Sequence, residues 1–162
     1  MNGKIKTFKI LDLFSGAGGF SYGMEKNEHF ETVVAVDFNP NALATFKHNM
    51  PKAQIINGDI TNPEIKKEII ELSKKHNVNM IIGGPPCQGF SLKGKKLGLD
   101  DPRNYLFNEY LSIVETLQPD VFTIENVKNV PESGPDNYYG NFSFRGQDEF
   151  NPCTYENSIV VK

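Results

Sequence analysis

A cysteine within residues 83–91, GGPPCQGFS, has the surroundings most typical of a reactive side chain. A free cysteine is most often a small buried hydrophobic residue. Cys87 instead follows two prolines, which stiffen the backbone and fix its direction, and it precedes the polar Gln88. A thiol in such a polar turn is a good candidate for a nucleophile. A metal site is not expected, because Cys153 and the three histidines offer no zinc-ligand spacing.

A glycine-rich segment, DLFSGAGGF at residues 12–20, is a second candidate for chemistry. Glycines between a strand and a helix let the backbone approach a ligand and aim helix N–H groups at it. The segment does not fit the dinucleotide pattern G-x-G-x-x-G, because Ser21 occupies the position of the third glycine. The same glycines are equally consistent with a tight turn that binds nothing.

Three carboxylates follow predicted strands: Asp37, Asp59 and Glu125. Asp37 is placed to accept hydrogen bonds from ribose hydroxyls, and Asp59 from an adenine amino group. Taken alone, Asp37 is better explained as a residue that caps the turn at Asn39–Pro40, and Asp59 is also placed to cap the helix that follows it. Glu125, which Asn126 follows, is also consistent with an ordinary turn.

The order of the predicted elements explains how these residues meet. Apolar, β-prone runs at residues 8–14, 32–36, 54–56, 78–82 and 121–124 alternate with helical patterns at 20–26, 39–48, 62–75 and 105–117. This alternation predicts an α/β fold with a doubly wound parallel sheet. In such sheets ligands bind beyond the carboxyl ends of the strands, where all the candidate residues lie.

Composition narrows the class of protein further. The chain of 162 residues has a formal net charge of −3, whereas self-sufficient nucleic-acid binders are usually basic. The sequence has no apolar run of about 18 residues, so no membrane span is expected. Two distant cysteines argue against disulfides and favour a reduced, cytoplasmic setting. Residues 131–162, rich in Gly, Asn, Pro and Ser, predict an irregular tail.

Several motifs together resemble a known family. ILDLFSGAGGFS, NGDI, GGPPCQGFS and ENV occur in the order and at spacings similar to the first six motifs of cytosine-C5 DNA methyltransferases. The resemblance covers about residues 8–130. It implies a partial S-adenosylmethionine-binding catalytic domain over residues 1–130, with a Rossmann-like methyltransferase fold and an incomplete sheet. NSIVV at residues 157–161 faintly resembles the family's closing segment, so the tail at 131–162 is interpreted as a remnant of it.

The resemblance also implies catalytic roles. Cys87 would attack C6 of a cytosine flipped out of the duplex. Glu125 would hold the N3 edge and the exocyclic amine of the base, and Asn126 would help to shape this pocket. Pro85 and Pro86 would position the thiolate. The methyl group would pass from S-adenosylmethionine to C5, and elimination would release the enzyme.

Cofactor and DNA contacts are implied in the same way. The methionine side of S-adenosylmethionine would contact the glycine-rich turn, and Phe38 would stack on adenine. The implied cofactor residues are Phe14, Ser15, Gly16, Gly18, Gly19, Asp37, Phe38, Asp59, Ile60 and Pro85. The implied DNA-binding residues, in a loop that is otherwise interpreted as solvated, are Gln88, Ser91, Lys93, Lys95, Lys96 and Arg103.

The expected function is therefore a DNA (cytosine-5-)-methyltransferase of a restriction-modification system, acting on double-stranded DNA. The family's Gln-x-Arg-x-Arg motif and target-recognition domain are not recognisable here. A truncated or split enzyme is expected, with a second chain as a candidate source of the missing parts. The alternatives are a tRNA cytosine-C5 methyltransferase and an inactive cofactor-binding fragment.

Overall fold

The computed structural model describes residues 7–86 and 105–125, and the backbone of two short strands near the C-terminus. The strands are β1 (Phe8–Leu13), β2 (Phe30–Asp37), β3 (Gln54–Asn57), β4 (Met80–Gly83), β5 (Val121–Glu125), β6 (Cys153–Tyr155) and β7 (Ser158–Val161). The helices are α1 (Gly19–Met24), α2 (Pro40–Asn49), α3 (Pro63–Lys75) and α4 (Tyr105–Leu117).

The strands form one sheet in the order β3-β2-β1-β4-β5-β7-β6. The first five strands are parallel, and the chain order reverses direction between β1 and β4. The predicted doubly wound, Rossmann-like α/β fold is therefore confirmed. Because the strands are parallel, the ends of β1 to β5 reach one edge of the sheet, which is where ligands bind in such folds.

Two asparagine caps begin the longer helices where the sequence predicts them. The side chain of Asn39 accepts hydrogen bonds from the backbone of Asn41 (3.0 Å) and Ala42 (3.3 Å) at the start of α2. Asn62 accepts one from the backbone N–H of Glu64 (2.9 Å) at the start of α3. Each cap precedes a proline at the first helical position, where its missing N–H is not needed.

The main core lies between the sheet and helices α3 and α4. Strand residues such as Leu11, Val34 and Ile81 pack there against Phe107 and Ile113 of α4. Burying each such side chain is worth about 1.5–3 kcal/mol, so this layer dominates the stability of the sheet. Within residues 7–86 and 105–125, no helix is long and apolar enough to cross a membrane.

The C-terminal region differs from the sequence prediction. An irregular tail was expected over residues 131–162, yet β7 pairs antiparallel with β5, and β6 pairs antiparallel with β7. The β-branched run in β7 is a good strand former, and the edge of β5 supplies unpaired backbone groups that it satisfies. Pairing between strands so distant in sequence leaves no local pattern. The composition of the tail therefore could not predict that it contributes strands to the sheet.

Candidate cofactor and catalytic site

The glycine-rich turn after β1 has a left-handed backbone at three positions. Phe14, Gly16 and Gly18 have φ angles of 58°, 53° and 88°. Positive φ is uncommon for an aromatic residue, and at Phe14 it occurs where the side chain lines a cavity. The turn stays attached to the sheet, because the backbone N–H of Ser15 donates to the carbonyl oxygen of Val36 (3.0 Å).

Asp37, at the end of β2, fixes this turn. Its Oδ2 accepts a hydrogen bond from the backbone N–H of Gly16 (2.8 Å), and its Oδ1 accepts one from Asn39 (2.8 Å). The capping interpretation of this residue is therefore correct in part. A carboxylate has about four lone-pair sites, so two remain for a ligand in the adjoining cavity.

A cavity of about 480 Å³ opens at the carboxyl edge of the sheet. Residues from the ends of β1, β2, β3 and β4 and from the start of α4 line it: Phe14, Asp37, Phe38, Gly58, Asp59, Ile60, Pro86, Tyr105 and Leu106. Six of these were candidate site residues from the sequence. Tyr105 and Leu106 were not, because the amphipathic pattern of α4 assigns its apolar residues to the core and does not show where the helix begins relative to the sheet.

Asp59 likewise combines a local and a cavity-facing position. Its Oδ1 accepts hydrogen bonds from the backbone N–H (2.9 Å) and the hydroxyl (2.8 Å) of Thr61. The cap of α3 itself is Asn62, so Asp59 shapes the turn before the cap. The carboxylate nevertheless lines the cavity, on the strand next to Asp37.

The other predicted contacts of the turn do not line this cavity. Ser15, Gly16, Gly18, Gly19 and Pro85 are absent from its lining. Gly18 has a different requirement, since a Cβ there would lie 2.4 Å from Cε of Met50 and 2.7 Å from Cδ2 of Phe46. The close packing of the turn on α2 therefore accounts for this glycine without a ligand.

The ends of β4 and β5 bring a carboxylate against the glycines that precede the cysteine. A Cβ placed on Gly84 would lie 2.9 Å from Oε2 of Glu125, and Gly83 pairs with Ile124 in the sheet. The side chain of Glu125 is exposed. Glu125 thus lies beside the backbone that leads directly into the Pro85–Pro86 turn.

The side chain of Tyr110 on α4 contacts both of these strands through its hydroxyl group. Its buried hydroxyl donates to the carbonyl oxygen of Thr123 on β5 (2.7 Å) and lies 3.4 Å from that of Ile81 on β4. Burial, and then the negative charge of Asp12, raise the pKa of Tyr110 well above its ordinary value, so the hydroxyl stays protonated. This hydroxyl therefore bridges β4, which leads into the di-proline turn, and β5, which carries Glu125, two residues before each strand ends.

Asp12 is a buried carboxyl that the sequence did not single out as a site residue. Its side chain is 2% exposed, and the hydroxyl of Ser21 on α1 donates to its Oδ2 at 2.5 Å. Burial raises the pKa of Asp12 from 3.8 to about 7, against the lowering effect of the Ser21 hydrogen bond, and repulsion by Asp37 adds to the rise.

The family model of C-5 cytosine-specific DNA methylases matches residues 8–159. The chain belongs to this family. Several relatives are named type II methyltransferases. M.AquIA of Picosynechococcus is 44% identical over 125 residues, which are 75% of this chain and 49% of that protein. M1.HphI of Haemophilus parahaemolyticus is 40% identical over 119 residues, 72% of this chain and 32% of the relative.

Solved structures agree with this membership. A crystal structure of a DNMT2 variant from Spodoptera frugiperda superposes with a TM-score of 0.58 at 35% identity, covering 78% of this chain and 37% of that one. The methylase chain therefore spans about half, or less, of the length of these relatives.

Several predicted site residues of this methylase lie outside the described residues. They are Cys87 and Asn126, with the DNA-contact set Gln88, Ser91, Lys93, Lys95, Lys96 and Arg103. The described structure reaches Pro86 on one side and Glu125 on the other. The described residues thus stop directly before the predicted nucleophile on the β4 side, and they include the predicted partner of the base, Glu125, on the β5 side.

Proposed function

We propose that this chain carries the S-adenosylmethionine-binding and catalytic-cysteine part of a DNA cytosine-C5 methyltransferase, of the kind found in restriction-modification systems and acting in the cytoplasm. One observation carries the proposal. The cavity lined by Phe14, Asp37, Phe38 and Asp59 lies at the same sheet edge as the corner formed by Gly84 and Glu125. This arrangement supports a cofactor pocket beside the strand end that leads into Cys87.

The residues of the cavity fit an adenosine group. Phe38 is 75% exposed at the cavity, an unusual position for an apolar ring without a ligand to cover it, and Phe14 adds a second aromatic surface. Asp37 and Asp59 offer acceptors for ribose hydroxyls and an adenine amine. A volume of about 480 Å³ lies within the range of small-molecule sites. When bound, S-adenosylmethionine supplies a methyl group on a positively charged sulfonium.

The chemistry assigned to the chain centres on Cys87 and Glu125. The Cys87 thiolate forms a bond to C6 of cytosine, and Glu125 stabilises the charge that develops at N3 by hydrogen bonding or proton donation. Electron density moves to C5, where a bound sulfonium donor would supply the methyl group and leave as a neutral thioether. Loss of the C5 proton to a base then restores the C5–C6 double bond as the sulfur–C6 bond breaks and the thiolate returns. Asn126 is assigned a role in shaping the base pocket.

The backbone around this pair favours such an attack. Pro85 and Pro86 restrict the directions in which Cys87 can leave β4. Gly84 permits the carboxylate of Glu125 to lie where a Cβ on residue 84 would be only 2.9 Å from Oε2, so a side chain there would make the Glu125 side chain shift. Glu125 is exposed, so the water around it has to be displaced by the flipped base, which would strengthen its hydrogen bonds to the ring.

Contact with double-stranded DNA is assigned to the segment after the cysteine. Its basic residues, Lys93, Lys95, Lys96 and Arg103, suit phosphate groups, whereas Gln88 and Ser91 suit neutral hydrogen bonds. A net charge of −3 for the whole chain requires that this attraction be local. DNA binding should therefore weaken with salt according to the number of these cations.

A covalent trapping experiment tests the proposal. Duplex DNA of mixed sequence containing 5-fluorocytosine is incubated with the protein and S-adenosylmethionine, because fluorine at C5 prevents the final elimination. We expect an adduct that resists denaturation and maps to Cys87, and none with Cys87→Ser. Cofactor binding by Cys87→Ser, measured by calorimetry, should stay within about twofold of the unaltered protein.

The same experiment separates the alternatives. Trapping on fluorinated tRNA but not on DNA would assign the chain to RNA methylation. Cofactor binding without any trapping would identify a cofactor-binding chain without activity. Sequence-specific trapping by this chain alone would exclude the need for a second chain in target recognition.

A further inference from the structure

Asp12 is a buried acid that the proposed chemistry does not use. It lies on β1 two residues before Phe14, with its carboxyl 2% exposed beneath the glycine-rich turn. An aspartate is almost never this buried without a specific partner. Its partner is the hydroxyl of Ser21, itself fully buried, on the helix that follows the turn.

This hydrogen bond closes the turn across its base. Asp12 precedes the turn and Ser21 follows it, so the 2.5 Å contact joins the end of β1 to the first turn of α1. Helix α1 has only six residues, and its N-cap, Gly18, has no side chain with which to cap it. The Asp12–Ser21 bond therefore anchors this short helix, in addition to the hydrogen bonds of Ser15 and Asp37 that hold the turn itself.

We propose that Asp12 is a positioning residue that holds the glycine-rich turn, through Ser21, in the conformation that binds the methyl donor. This inference rests on the proposed function of the cavity. It adds that the charge of Asp12 adjusts the affinity of the cavity for its cofactor.

The electrostatic surroundings of Asp12 make its charge variable near neutral pH. Asp37, at the end of β2, repels the ionised form, and Tyr110 of α4 is also electrostatically coupled to it. Helix α1 and strand β4 contain no charged side chain. With burial as the largest cause, the pKa of Asp12 rises to about 7, so both forms are populated in the working range of pH.

The two forms hold Ser21 differently. A hydroxyl donates more strongly to a carboxylate than to a neutral carboxyl, so ionised Asp12 anchors α1 more firmly. The same negative charge attracts a cationic sulfonium bound above the turn. Both effects strengthen cofactor binding when Asp12 is ionised. The affinity for S-adenosylmethionine should therefore rise as the pH rises through the pKa of Asp12. The difference between a charge-assisted and a neutral hydrogen bond corresponds to about a fivefold change in affinity.

Calorimetric titration with S-adenosylmethionine between pH 5.5 and 8.5 tests the inference. For the unaltered protein we expect about a fivefold gain in affinity centred near pH 7, and for Asp12→Asn a weaker affinity without this gain. Ionisations of the cofactor itself are common to both proteins and cancel in the comparison. Ser21→Ala removes the bond that lowers the pKa of Asp12, so its midpoint should move to higher pH.

Ser73→Ala is the matched control, because Ser73 is equally buried in a helix but its hydroxyl has no hydrogen-bond partner among the residues that the structure describes. It should leave the midpoint unchanged. A merely structural role for the Asp12–Ser21 pair would lower affinity equally at every pH in both site variants and move no midpoint. That result would overturn the inference.

A measurement without cofactor separates this inference from the proposed function. The carboxyl ¹³C resonance of Asp12, followed by NMR, should titrate near pH 7 in the free protein and higher in Ser21→Ala. Titration below pH 5 would refute the inference even if the cofactor binds. Failure of S-adenosylmethionine to bind at any pH would refute the proposed function, and the inference with it.

Discussion

Two adjacent glycines of the turn should respond in opposite ways to the same substitution. Gly18 has a φ of 88°, and a Cβ there would lie 2.4 Å from Cε of Met50 and 2.7 Å from Cδ2 of Phe46. A left-handed backbone costs a non-glycine residue about 1–2 kcal/mol, and overpacking adds about 1–3 kcal/mol. Gly18→Ala should therefore lower the free energy of unfolding by roughly 2–5 kcal/mol. Gly19 begins α1, and no atom of the described part of the chain lies within 4 Å of an added Cβ.

Urea unfolding followed by circular dichroism measures both variants against the unaltered protein. Gly19→Ala should be neutral or stabilising by up to about 1 kcal/mol, because alanine favours the helix. A Gly18→Ala variant as stable as Gly19→Ala would show that the turn does not pack on α2 as described. The packing explanation for Gly18 would then be wrong, and contact with a ligand would be the better reason for this glycine.

Three further predictions follow from individual side chains. The pKa of Asp12 in the folded protein, about 7, exceeds its ordinary value of 3.8, so the stabilisation by neutral Asp12 is complete below pH 3.8 and is lost as the pH rises through 7. The desolvation of the buried charge outweighs its stronger hydrogen bond to Ser21, so ionisation lowers the stability of the whole fold. Between pH 5 and 8, the free energy of unfolding of the unaltered protein should fall by roughly 3 kcal/mol relative to that of Asp12→Asn, as measured by urea unfolding. Free energies of unfolding that change with pH in the same way for both proteins would contradict this. Tyr110→Phe should cost about 1–2 kcal/mol in thermal unfolding by leaving a buried strand carbonyl unpaired, whereas Tyr105→Phe, 49% exposed, should stay within about 0.5 kcal/mol. Phe38→Ala should weaken S-adenosylmethionine binding about tenfold in calorimetry with little loss of stability, and an equal effect of Tyr22→Ala, outside the cavity, would refute the specific contact.

The parts of the fold with local signatures could be predicted from the sequence. Asn39 and Asn62, each followed by proline, gave the correct starts of α2 and α3, because capping depends on neighbouring residues alone. The alternation of apolar runs gave the five parallel strands. Since parallel strands end at one edge, the placement of Asp37, Asp59 and Glu125 along that edge followed from strand order, although only the two aspartates line the cavity.

Features that depend on distant contacts could not be predicted. Nothing near β7 in sequence indicates that it pairs with β5. In the sequence, Gly18 looks like a ligand-binding glycine, and only the structure shows that Met50 packs against it. Asp12 likewise looks like an ordinary polar residue of a motif, and only the structure shows that it is buried. The start of α4 belongs to the same class, because Tyr105 enters the cavity only through the packing of the whole helix on the sheet.

Chemical-shift mapping by NMR tests most directly whether the edge cavity receives the methyl donor. On addition of S-adenosylmethionine to the ¹⁵N-labelled protein, the largest amide shifts should occur at Gly16, Phe38 and Ile60, at the ends of three neighbouring strands, and Asp37→Ala should reduce them. Shifts concentrated elsewhere on the chain, or no shifts at saturating cofactor, would contradict the account.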